Sequence, residues 1–71
     1  MRGRQGQKKA AIQALRRASE LEPSNSVIWS NLAVVLFQEG RLPEASAAAE
    51  RCLAIDPENA EARAVQERGG G

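Results

Sequence analysis

Ser26–Pro57 reads SVIWSNLAVVLFQEGRLPEASAAAERCLAIDP, and its punctuation decides the fold. Gly40 divides two runs that suit helices, and Pro57 closes the second. The same marks stand 34 residues earlier, at Gly6 and Pro23, and each proline is followed two positions on by an asparagine, Asn25 or Asn59. Ala11, Leu15 and Ala18 stand in the first copy where Ala45, Ala49 and Cys52 stand in the second. A period of roughly 20–50 residues marks units that cannot bury their apolar face alone and stack on copies of themselves. Function is therefore to be sought on a surface and not in a catalytic cleft.

Local signals predict four helices. The first covers about residues 7–21, where Ala11, Ile12, Leu15, Ala18 and Leu21 recur at helical spacing until Pro23 stops the run. Ser24, Asn25 and Ser26 offer oxygens to cap a second helix over about 26–38, which Gly40 ends as a left-handed cap. A third begins near Leu42, with Pro43 tolerated in its first turn because the missing donor has no partner there, and runs to about Ile55. Its alanines Ala45, Ala47, Ala48 and Ala49 carry little bulk, so Trp29 and Leu32 can lie against it. A fourth helix is expected from about Asn59 to Arg68.

The spacing Trp29, Leu32, Ala33, Leu36, Gly40, Ala45, Ala49, Cys52, Pro57 resembles the tetratricopeptide repeat. Six positions match its pattern: Trp29, Leu32, Ala33 as the small residue, Gly40, Ala45 and Pro57. Asn31, Glu44, Leu53 and Asp56 also fall where such sequences often place those residues, whereas Leu36 and Ala49 replace aromatics and Cys52 an alanine. The resemblance implies an all-α solenoid fragment of antiparallel helix-turn-helix units, with A helices lining a concave face. On that reading residues 1–6 are a basic flexible leader and residues 7–68 the helical domain. Within the domain, 7–25 hold the B helix of a partial repeat, 26–59 the full repeat, and 60–68 a partial or capping helix. Residues 69–71 are a flexible glycine tail. Arg63 and Gln66 occupy the tryptophan and leucine positions of the last helix, which suits either a polar cap or a repeat whose register has decayed.

Size makes stability a problem. A chain of 71 residues buries only about 60% of its unfolded surface, and repeat arrays usually need about three units. The first helix has no predicted partner for its stripe, so Ile12, Leu15 and Leu21 are expected to be partly wet in a monomer. A second chain, a longer array or self-association would cover it, and self-association is the expectation for the isolated chain. Residues 1–19 carry six cations and no acid, whereas residues 20–71 carry four arginines and nine acids, for a net charge of +1 overall. Such polarity would allow basic end to meet acidic end.

The same charges bear on other function classes. No aromatic is interleaved with the basic residues, and the overall charge is near zero, which disfavours nucleic acid. The thin apolar face disfavours a membrane surface, and no apolar run reaches the roughly 18 residues of a membrane span. One cysteine and no histidine cannot make a closed zinc site, and no acid–base pair or phosphate loop suggests catalysis. No enzyme activity and no cofactor are expected, and Cys52 is expected as an inert packing residue. With neither signal sequence nor disulfide indicated, a cytoplasmic location is expected.

The resemblance implies a groove on the complete A helix at Val27, Ser30, Asn31, Val34, Phe37 and Gln38. There Val27, Val34 and Phe37 would form an apolar strip, and Ser30, Asn31 and Gln38 hydrogen-bonding points, for a peptide or partner helix. A carboxylate clamp of the kind some relatives use is not expected, because Glu61 stands where a cation is needed. The alternatives are a purely structural oligomerisation unit and a basic-tailed RNA adaptor.

Overall fold

A computed structural model of the chain describes residues 2–69, with side chains described from residue 6 onward. Four helices follow in order: α1 (Arg2–Leu21), α2 (Ser26–Gln38), α3 (Leu42–Ile55) and α4 (Ala60–Gly69). The fold is all-α, as expected. α1 begins earlier than predicted, so the stretch read as a flexible leader is helical from Arg2. Arginine, glutamine and lysine are good helix formers and no proline interrupts them, which outweighs the cost of about 1 kcal/mol for each interior glycine. Of the glycine tail, Gly69 is the last residue of α4, while Gly70 and Gly71 lie outside the described residues.

Each connection has a local cause. Of the three oxygens offered before α2, that of Asn25 forms the cap, accepting from the Val27 N–H at 3.0 Å. At the other end Gly40 has φ +79°, a left-handed conformation. Its N–H donates to Phe37 O at 3.0 Å and that of Arg41 to Leu36 O at 2.9 Å. This pair of bonds is a Schellman motif, which satisfies carbonyls the helix leaves open. Asn59 repeats the role of Asn25 before α4, its side chain accepting from the Ala62 N–H at 2.9 Å.

Cross-helix contacts set the directions. Cys52, near the end of α3, donates its thiol to Ser26 O at the start of α2 at 3.3 Å, so the two helices are antiparallel. Gln66 reaches back to Ser46 O at 3.0 Å, which makes α3 and α4 antiparallel, and the Lys8–Glu39 pair at 3.8 Å does the same for α1 and α2. α2 and α4 are consequently parallel, with Ser30 beside Glu61 and Phe37 beside Gly69. Two parallel helices, α2 and α4, thus form one face.

The core runs through α2. Leu32, Ala33 and Leu36 are buried with Ala45, Ala48, Ala49 and Cys52 of α3 and with Ala62 and Val65 of α4. The small residues of α3 let the α2 leucines approach closely, and a fully buried leucine contributes about 1.5–3 kcal/mol. Ile12 is only 4% exposed, which corrects the expectation that it would be partly wet. A helix in a stack has two contact faces, and Ile12 lies on the one turned to the following helix, α2, in the same cluster as Leu32 and Leu36. Leu15 packs partly against that cluster, whereas Leu21 is 77% exposed.

Candidate functional site

The six residues expected along the groove do not share one environment. Val34, Phe37 and Gln38 line a groove of about 330 Å³ together with Glu61, Ala64, Val65 and Arg68 of α4. Val27 and Asn31 are exposed and do not line this groove, although at the helical 3.6 residues per turn they fall within about 20–60° of Val34 and Gln38 around α2. Ser30 is 1% exposed, so its hydroxyl is not a free hydrogen-bonding point. It lies 2.8 Å from Glu61 Oε1 and 3.2 Å from Asn59 Oδ1. A hydroxyl has one proton, and the shorter bond to Glu61 claims it, since Asn59 Oδ1 already accepts from Ala62 N–H. Burying the hydroxyl unpaired would cost about 1–3 kcal/mol, so Ser30 ties α2 to the start of α4.

Phe37 is shared between two jobs. A Cβ added at Gly69 would lie 3.4 Å from its ring carbons, so the ring packs over the end of α4 while its other side lines the groove. Val34 is half-buried in the groove wall. The apolar middle is bracketed by charges of opposite sign. Glu61 stands at the amino-terminal end of α4, anchored by Ser30, and Arg68 stands at its carboxyl-terminal end. A cation in a last helical turn also interacts favourably with the helix dipole.

The six motif residues divide between core and connection. Leu32, Ala33 and Ala45 are buried, Gly40 makes the left-handed turn, and Pro57 follows the end of α3. Trp29 is half-buried; its indole N–H donates to Pro23 O at 2.9 Å, and the Arg51 guanidinium lies 5.0 Å over its ring. A second cavity, of about 560 Å³, opens on this side between α1, α2 and α3, with Trp29, Leu32 and Leu36 as its floor. Its rim charges are partly spent: Arg16 pairs with Glu44 at 2.9 Å. Cys52 is wholly buried, and burial first, then the Asp56 and Glu61 carboxylates, raise its thiol above the ordinary value, which keeps it in the unreactive thiol form. Among the described residues, no helix is long and apolar enough to cross a membrane, and no group of three or more His, Cys, Asp or Glu side chains is placed to hold a metal.

Glu61, Ala64 and Arg68 were absent from the expected groove set, yet the sequence carried a signal for them. They stand 34 residues after Val27, Ser30 and Val34, so the repeat that located the first A helix also projects its face onto the next. No curated protein matches the chain. A family model described as tetratricopeptide repeat matches residues 4–69. With the 34-residue period, the antiparallel hairpin of α2 and α3 and the parallel pair α2 and α4, that match over nearly the whole length places the chain: it belongs to the tetratricopeptide repeat family.

Proposed function

We propose that the chain receives an extended peptide segment of a partner protein in the groove between α2 and α4. Its family is one of protein–protein interaction modules, typically without catalytic activity. The observation that carries the reading is the groove itself: an apolar middle of Val34, Phe37, Ala64 and Val65 with polar groups at Gln38, Glu61 and Arg68. Apolar walls with a few converging polar groups are what small ligands and peptide side chains use for affinity and orientation. Exposed Val27 and Asn31 extend the apolar and hydrogen-bonding surface beyond the groove. A panel of end-blocked peptides titrated by fluorescence anisotropy tests it. Binding that Val34→Ser abolishes while circular dichroism stays unchanged supports the groove, and binding indifferent to Val34→Ser refutes it.

A second reading, self-association through α1, is favoured by a comparison within the chain. Ala11, Ala14, Leu15 and Ala18 of α1 correspond to Ala45, Ala48, Ala49 and Cys52 of α3, all buried by the neighbouring helices, yet Ala14 is exposed and the other three only half-buried. An α1 face left open in this way suits a second helix, whether from another copy or from another protein. At the other end, α4 presents Arg63, Gln66 and Glu67 at the positions of Trp29, Leu32 and Ala33. Those polar groups suit a cap and oppose simple head-to-tail growth. Light scattering with in-line circular dichroism over a dilution series separates the cases: loss of helix on dissociation supports self-association, and a monomer that stays helical on dilution eliminates it.

A further inference from the structure

The groove is electrically polarised, and its dimensions and charges together specify a ligand more narrowly than an apolar strip does. We infer that its occupant is an extended segment carrying a basic and an acidic side chain three positions apart, with an apolar residue between them. This rests on the groove reading above and adds the ligand's charge register.

Glu61 and Arg68 are seven residues apart on one helix, roughly 10 Å along the axis at about 1.5 Å per residue. Both line the groove, and Ala64 and Val65 lie between them. Glu61 is held in place, because the buried Ser30 hydroxyl donates to its Oε1 at 2.8 Å while its second oxygen stays available to a ligand. Arg68 forms no ion pair among the described residues, so its guanidinium has no internal competitor there. The other side of the groove is neutral: Val34, Phe37 and Gln38 bring no charge that would cancel either end.

The spacing of the two charges suits an extended backbone. A polyproline-II segment rises about 3.1 Å per residue with three residues per turn, so side chains at i and i+3 point the same way about 9 Å apart. That spacing matches the distance from Glu61 to Arg68 within the reach of their side chains. The basic ligand residue then meets Glu61, the acidic one meets Arg68, and an apolar residue between them faces Val34 and Ala64. A free carboxylate at the Glu61 end is repelled, so the groove discriminates by charge at both ends.

Three end-blocked, proline-rich peptides of equal length test this, with Lys/Glu, Lys/Lys or Glu/Glu at positions i and i+3, titrated against the full chain by fluorescence anisotropy. The Lys/Glu peptide is expected to bind about fivefold more tightly than either like-charged peptide, as exposed pairs allow, with the advantage fading as salt is added. Glu61→Gln keeps an acceptor for Ser30 and is expected to equalise Lys/Glu and Glu/Glu, and Arg68→Glu is expected to make Lys/Lys the best ligand. Equal binding of all three peptides to the unmodified chain, with loss in Val34→Ser, overturns the charge register and leaves the groove standing. Preferences that survive both charge substitutions also overturn it. Failure of every peptide to bind overturns the groove reading as well.

Discussion

Replacing Gly40 by alanine isolates a single backbone energy. The glycine has φ +79°, and a Cβ added there meets nothing within 4 Å, so no steric clash with neighbours enters. What remains is the conformational cost of a left-handed L-residue, about 1–2 kcal/mol. Against it stands a return of about 0.4–1 kcal/mol, because alanine has fewer unfolded conformations than glycine. The net expectation is a loss of about 1 kcal/mol, which for a domain of this size lowers Tm by about 4–8 °C. D-alanine at the same position adopts positive φ without strain and keeps the entropic return, so it is expected to stabilise by about 0.4–1 kcal/mol. A chain of 71 residues is within reach of chemical synthesis by ligation, and thermal melts of the glycine, L-alanine and D-alanine forms at one fixed concentration give the comparison. If the L- and D-forms melt together, the left-handed turn does not hold the α2–α3 hairpin and the reasoning fails.

Three further outcomes follow from particular residues. Leu36→Ala removes one of the largest fully buried side chains, at 2% exposure; a loss of about 2–5 kcal/mol from a total of roughly 4–11 kcal/mol should move the urea midpoint sharply down, and a shift worth less than about 1 kcal/mol would contradict the packing described. Because the Cys52 thiol is raised in the folded state, chiefly by burial, the unfolded chain ionises first as pH rises; stability present below the ordinary thiol value should decline above it, and Cys52→Ala should remove that decline in paired pH-dependent melts. Gly69→Ala places a methyl in ordinary contact with Phe37 at 3.4 Å and Leu42 at 3.6 Å; it should raise stability by about 0.5 kcal/mol, less than the interior value because the residue ends the helix, and a lowered Tm would show that the Phe37 ring cannot accommodate it.

Helix ends were legible because their causes are local. Pro23, Asn25, Gly40 and Pro43 each act within a few residues of themselves, through a fixed φ, a missing donor, a capping oxygen or a permitted left-handed turn. The 34-residue period carried those signals from one copy to the next, and with them the tetratricopeptide resemblance that the family match over residues 4–69 supports. The expected start of α1 after Gly6 falls short of the observed one because a glycine weakens a helix without breaking it.

What tertiary structure alone decided is which of two faces each residue turns to a neighbour. Ile12 and Leu21 look alike along α1, yet α2 covers the first and leaves the second in solvent. Ser30 lies on the predicted groove helix with Val34, but the approach of α4 buries it and converts its hydroxyl into an anchor for Glu61. Glu61 and Arg68 share a face of α4 by their spacing alone, but that face becomes a groove wall only because α2 packs beside it with Val34 and Phe37. Composition and period determine that helices form and that they stack, because both depend on short-range geometry and apolar surface. Burial, and the groove itself, depend on contacts between residues about 30 positions apart, and those exist only once the helices have docked.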